Sequence, residues 1–234
     1  VFYLYVLGSL LPIMIVGVID GIQEITVKPV FRIIAQIISS WIIIIATDIY
    51  IKDLGDLFGF GSLYIGQLGI PFTIFSVVGI CNAFNMLDGK DGLLGSVSIV
   101  IMSSLLLLLY FNNIIYHWAQ IFVLSTLVYL AFNLNLFGQK RKIFLGDHGS
   151  TGMGHIIAWS LIFLSQETDY ITPVSALWFV LLPLTDAILT FIRRIKSSHS
   201  VFSGDRLHFH YKLSDLGFSD RIILSVFSII TLIS

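Results

Sequence analysis

Asn82-Ala83-Phe84-Asn85-Met86-Leu87-Asp88-Gly89-Lys90-Asp91-Gly92 sets two aspartates and a lysine between two long apolar runs, 69–85 and 93–111. A helix crossing a bilayer core needs roughly 20 apolar residues, so both runs are of spanning length. Ionisable groups at the ends of such runs are costly, and they are candidates for chemistry by default. Asp147, in Phe144-Leu145-Gly146-Asp147-His148-Gly149-Ser150, and Asp20, which ends the first apolar run, are placed in the same way. Recurring acidic residues at one membrane surface point to a divalent cation and a phosphate-bearing substrate.

Of the 234 residues, 56% are hydrophobic and only 12% are charged, which excludes an ordinary soluble domain. Apolar runs recur near 3–19, 29–47, 69–85, 93–111, 116–135, 151–165, 173–193 and 221–234, which predicts about eight membrane helices. They are too long and too uniformly apolar for alternating barrel strands. The expected fold is an all-α integral membrane protein, one polytopic domain over 1–234. Because the chain opens and closes inside apolar stretches, it is expected to be part of a longer protein. Cys81 stands alone, so no disulfide framework or cysteine metal site is expected. A cleavable signal peptide is not expected either, since Val1 to Ile19 lacks a basic start.

The basic residues set the sidedness. Lys28, Arg32, Lys90, Lys140-Arg141-Lys142, Arg193, Arg194, Lys196, Arg206, Lys212 and Arg221 fall on alternate connections, with only Lys52 opposite. By the positive-inside rule, the loops near 20–28, 84–92, 136–150 and 194–220 are cytoplasmic. They hold Asp20, Asp88, Asp91, Asp147, Asp205, His208 and His210, so the candidate chemistry gathers on one face. The opposite stretch, 48–68, alternates around Gly61-Ser62 and predicts a short interfacial hairpin. Asp48, Asp53, Asp56, Glu167 and Asp169 read there as solvated loop charges, and Lys140-Arg141-Lys142 as a topology and lipid-headgroup signal.

Phosphoryl transfer needs a carboxylate-held metal, cations for phosphate oxygens and an oriented nucleophile. Asp20, Asp88, Asp91 and Asp147 supply carboxylates, and Lys28, Arg194 and Arg206 supply cations. Asn82 and Asn85 can bond a nucleotide or orient a carboxylate. Structural readings compete: Asp88-Gly89 and Asp91-Gly92 can stop one helix and cap the next, and Asp147 can cap a helix starting near Thr151. Asp186 is expected to line a cavity or to pair with Arg194. His117 and His155 read as an interfacial and a packed residue. In Asp205-Arg206-Leu207-His208-Phe209-His210 the histidines can bind metal or hold a diphosphate; the second is favoured, since zinc sites recruit more His or Cys.

The segments 82–93, 144–150 and 200–210 together resemble the polyprenyl-phosphate N-acetylhexosamine-1-phosphate transferase family, in particular bacterial members that start envelope polysaccharides such as O-antigen. The resemblance implies a reaction between undecaprenyl phosphate and a UDP-N-acetylhexosamine that releases UMP, with magnesium, or manganese in its place. It implies Asp147 for the metal, Asp20, Asp88 and Asp91 as catalytic acids, and Lys28 for the lipid phosphate. Asn85, His208 and His210 would hold nucleotide and diphosphate with Arg206 nearby, and Arg194 remains a candidate cation for phosphate from the reading of the residues. The resemblance also implies further helices at both ends, a bacterial inner-membrane location with the site facing the cytoplasm, room for a homodimer, and no nucleic-acid partner. Four positions depart from the pattern: His148 stands where a small residue is usual, Gly204 where proline is common, and, bearing on turnover, Gly21 where a second aspartate is usual and Tyr211 where a histidine is usual. The last two raise the alternative of a relative that binds nucleotide sugar or lipid phosphate without turnover. A transporter or channel is disfavoured, because its charges would sit near the midplane and repeats would show.

Overall fold

The computed structural model describes residues 1–21, 27–56, 59–197 and 208–234. Among these the secondary structure is helical: α1 Phe2–Ser9, α2 Leu11–Asp20, α3 Pro29–Thr47, α4 Gly69–Leu87, α5 Leu93–Phe111, α6 His117–Asn133, α7 Gly146–Glu167, α8 Pro173–Phe179, α9 Leu181–Lys196, α10 Phe209–Asp215 and α11 Asp220–Ile233. Each expected apolar run is therefore helical, but fewer pass as spans. Among the described residues four stretches are long and apolar enough to cross a membrane: Phe2–Asp20, Pro29–Thr47, Gly66–Leu87 and Leu93–Phe111. Counting the broken pair α8 and α9 as one span raises this to five. The expected count of about eight is therefore met only in part, and the shortfall has physical reasons. The helix α6 has 17 residues and α11 has 14, while α7 opens with the polar stretch Gly146 to Gly152.

Local signals explain the helix limits. Lys28 is extended before Pro29, whose fixed φ suits the first helical position of α3. Asp48 ends that helix at φ 54, and Gly92 opens α5 at φ 79, a left-handed conformation that glycine adopts without strain.

The chain divides into two compact units, Val1–Asn82 with Leu145–Trp178, and Ala83–Phe144 with Phe179–Ser234. In the first, α2 packs on α3 and α7, and α1 on α3. Ile43, Ile157 and Trp159 are fully buried there, while Ile45 and Phe75 stay 70% and 75% exposed, as lipid-facing positions should. At 22 residues, α7 is about 33 Å long, comparable to a bilayer core. Its far end holds the expected hairpin. Gln166 accepts from the Lys52 and Asp53 amides at 2.8 and 3.2 Å, and donates to the Asp53 carbonyl at 2.9 Å. Among the described residues the hairpin shows one antiparallel bridge, Asp53 with Tyr64, beside which the Leu54 amide donates to the Leu63 carbonyl and the Leu63 amide to the Gly55 carbonyl, both at 3.0 Å. Asp147 and this hairpin thus mark opposite ends of one helix. In the second unit, α5 packs on α6 and α11, burying Leu93, Val97, Met102, Leu105 and Phe227.

Candidate functional site

In the first unit, three helix ends meet. Asp20 is the last residue of α2, Arg32 lies in the first turn of α3, and Asp147 lies in the first turn of α7. Arg32 pairs with both carboxylates: Nη2 with Asp20 Oδ2 and Nη1 with Asp147 Oδ2. The second oxygen of Asp20 accepts from the Val27 amide at 3.0 Å. A close approach of α2 to α7 makes this meeting achievable. A Cβ on Gly17 would lie 2.0 Å from the Cβ of His148, so only glycine lets the helices come this near. Asp147 does not act as a side-chain cap of α7, which has none. Its position near the helix N-terminus still favours negative charge, as the macrodipole does. Lys28 is exposed at the N-cap of α3, four residues before Arg32.

The fit to a cation can be tested on this geometry. Magnesium takes one or two carboxylates and fills the remaining positions with water and phosphate oxygens. Two carboxylates aimed at one guanidinium form such a pair, and Asp20 with Asp147 would hold the ion. Among the described residues no group of three or more His, Cys, Asp or Glu side chains forms a metal cage.

In the second unit, the Asn85–Gly92 segment links α4 to α5. Asp91 pairs with Lys142 Nζ at 2.6 Å, which gives that lysine a specific partner beyond its role as a basic loop signal. Lys90 pairs with Asp220 and donates to Ser214 Oγ at 3.2 Å. The capping alternative for Asp91 does not hold, since the N-cap of α5 is Gly92 and it carries no side-chain cap. Asn133 supplies the local support instead: its Oδ1 accepts from the Gly92 amide at 2.6 Å, and its Nδ2 donates to the Ile143 carbonyl at 3.0 Å. Asn85 and Asp88 are half-buried at the end of α4.

The histidine motif enters the same unit. His208 is the N-cap of α10 and is buried; its Nδ1 lies 3.1 Å from Asp186 Oδ2 and 3.3 Å from Thr190 Oγ1. The His208 and His210 rings stack in parallel at 5.7 Å. His210 is fully buried, and neither ring nitrogen has a hydrogen-bond partner among the described residues. Its Nε2 sits where a Cβ on Gly89 would come within 2.3 Å, so this ring lies against the aspartate loop. Burial pushes the His210 imidazole down to about 4, with His208 and Lys90 acting in the same direction and the Asp186 carboxylate opposing them. The ring is thus neutral near pH 7, and its two nitrogens are open to polar partners from outside the described residues. Tyr211 donates to the Gly89 carbonyl at 3.4 Å. Arg194 is buried in the last turn of α9, and Arg206 lies outside the described residues.

The structure thus brings Asp20 and Asp147 together in one unit, and Asp88, Asp91, Asn85, His208 and His210 into the other. Sequence reasoning missed Arg32, which carried only a sidedness signal, and Asn133, which sat unremarked in an apolar helix. It placed Asp186 near Arg194 or a cavity, whereas the carboxylate is committed to His208 and the Phe209 amide. A signal for Asp186 was present: a carboxylate inside an apolar run needs partners.

Residues 3–165 match the model of glycosyl transferase family 4. Curated relatives include the undecaprenyl-phosphate alpha-N-acetylglucosaminyl 1-phosphate transferases of Shigella flexneri and Yersinia pestis, 34% and 36% identical over 220 residues. These alignments take in 93% of this chain and 59% of each relative. The protein of the same description from Haemophilus influenzae is 36% identical over 236 residues, 99% of this chain and 65% of its own length. The chain therefore spans about three-fifths of the length of these relatives.

Proposed function

The chain belongs to glycosyl transferase family 4, and from that membership we propose that the protein transfers N-acetylglucosamine 1-phosphate from UDP-N-acetylglucosamine to undecaprenyl phosphate. An oxygen of the lipid phosphate forms a bond to the sugar-linked phosphorus. The bond from that phosphorus to the bridging oxygen breaks, and UMP leaves with the electron pair. The product is an undecaprenyl diphosphate sugar, the first lipid-linked unit of an envelope polysaccharide such as O-antigen. The relatives' printed names support the lipid and the sugar. The gathering of lysines and arginines on alternate loops supports a site facing the cytoplasm from the inner membrane.

The observation that carries this reading is Arg32 between Asp20 and Asp147. Two carboxylates brought together from distant segments of the chain repel each other unless a cation joins them. A reaction between two phosphate groups needs the same remedy, because their negative charges oppose approach. Bound magnesium, or manganese, would supply charge neutralisation of the diphosphate. Asp147 would hold it with Asp20 beside it, and Lys28, exposed at the open end of α3, would receive the lipid phosphate. Asp88 and Asp91 would serve as the acidic groups of the nucleotide side. Asn85, Arg194, Arg206, His208 and His210 would bind nucleotide and diphosphate, with the neutral His210 ring donating or accepting as the ligand requires. Most of the rate gain in this scheme is positioning and electrostatics.

No observation favours the binding-only alternative raised by Gly21 and Tyr211. The deciding experiment is UMP release by the full-length protein in detergent, with undecaprenyl phosphate, magnesium and UDP-N-acetylglucosamine. Turnover that vanishes without the lipid supports the reading. If neither UDP-N-acetylglucosamine nor its galacto epimer is turned over, the reading is wrong.

A further inference from the structure

We propose that Asp186 is a positioning residue for this site: it fixes the tautomer of His208 and clamps the turn that carries His208 and His210. The inference rests on the reading above, in which these histidines meet the diphosphate. Asp186 and His208 are 6% and 5% exposed, so neither can satisfy its polar atoms with bulk water. A carboxylate placed in the apolar helix α9 is costly unless its oxygens are occupied. Both are. The Phe209 amide donates to Oδ1 at 2.8 Å, and His208 Nδ1 lies 3.1 Å from Oδ2.

An ionised carboxylate only accepts hydrogen bonds. His208 must then carry its hydrogen on Nδ1, which leaves Nε2 as the nitrogen available to a ligand. Thr190, one turn after Asp186 on the same face of α9, puts its Oγ1 3.3 Å from the same Nδ1 and holds the ring plane. The setting passes outward through direct contact. His208 stacks on His210 at 3° between ring planes, and His210 Nε2 abuts Gly89 in the aspartate loop. A structural anchor for the Phe209 amide would need one acceptor. The second oxygen adds the bond that fixes which imidazole nitrogen carries the hydrogen.

Asp186→Asn in the full-length protein separates these cases, because asparagine keeps the shape but offers one acceptor and one donor. With its oxygen on the Phe209 amide, its amide nitrogen faces His208 Nδ1, and the imidazole hydrogen must move to Nε2. In 15N-histidine-labelled protein, with His208 assigned by difference against His208→Gln, the wild-type resonance should report the Nδ1–H tautomer and Asp186→Asn the Nε2–H tautomer. The kcat/KM for the UDP-sugar should fall about 10- to 100-fold, the loss expected of one charge-assisted hydrogen bond. The KM for undecaprenyl phosphate should stay unchanged. In a His208→Gln background, Asp186→Asn should cost less than about 2-fold, since it acts through the ring already removed.

An Nε2–H tautomer in the wild type overturns the inference, and that measurement needs no Asp186 variant to fold. So does an additive effect of the two substitutions in an active protein. A wild type that turns over no UDP-sugar overturns the proposed function and with it the kinetic half of the inference, while the tautomer still decides the clamp.

Discussion

Replacing Arg32 by Gln removes the positive group held between Asp20 and Asp147 and leaves two carboxylates facing each other. Oxygens on either side of a guanidinium lie about 6 Å apart, where two unit charges repel by ~0.7 kcal/mol in water and ~3 kcal/mol at an effective dielectric of 20. The Asp147 side chain is 50% exposed and Asp20 19%, so solvent screening favours the lower part of that range. Adding the lost ion pairs gives a net destabilisation of roughly 1–2 kcal/mol in the absence of divalent metal. For a protein of this size or larger, that is a fall in Tm of roughly 2–8 °C. The assay is thermal unfolding of the full-length protein in detergent with a chelator, then with millimolar magnesium. In the proposed site the metal has to displace the guanidinium in the wild type but not in Arg32→Gln. Magnesium should therefore raise the Tm of the variant more than that of the wild type, and close most of the gap. Equal Tm values with chelator, together with equal magnesium shifts, would refute the shared-cation reasoning.

Other outcomes follow from the same geometry. Gly17→Ala drives a Cβ into His148 and should cost about 1–3 kcal/mol by overpacking, with UMP release falling as Asp147 moves; an unchanged melting curve contradicts the close α2–α7 approach. Gly89→Ala meets His210 Nε2 at 2.3 Å and should depress turnover more than stability, read by comparing kcat/KM with Tm. Asp147→Asn should lower turnover by at least about 100-fold and abolish the magnesium-dependent stabilisation, and metal-responsive melting that survives would remove Asp147 from the site. His210 has a folded value near 4, against about 6.5 unfolded, so the unfolded chain binds more protons between those pH values. Stability should thus fall as pH drops through that window, and His210→Gln should lose less, by denaturation curves at pH 7 and 4.5.

The helices were legible because their signals are local. Pro29 and Gly92 mark the starts of α3 and α5, and the run between Gly92 and Asn112 carries no charge. Boundaries were good enough to put Asp20, Asp88 and Asp147 at helix ends, where the structure has them. The span count was less legible, because run length alone does not separate the 17-residue α6 from the full crossing made by α5. The break between α1 and α2 at Leu10 also went unread, although Pro12 stands just beyond it.

What the chain of residues determined by itself was the class of fold and the family, since hydropathy and motif spacing are both readable in one dimension. What only the tertiary structure decided was pairing. Arg32 joins Asp20 to Asp147, Lys142 takes Asp91, and Asp186 takes His208, across 12 to 115 residues of sequence. The physical reason is that a charge in an apolar setting must find an opposite partner, but any of several lies within reach of an extended chain. Helix packing, set by contacts such as Gly17 on His148, selects which one.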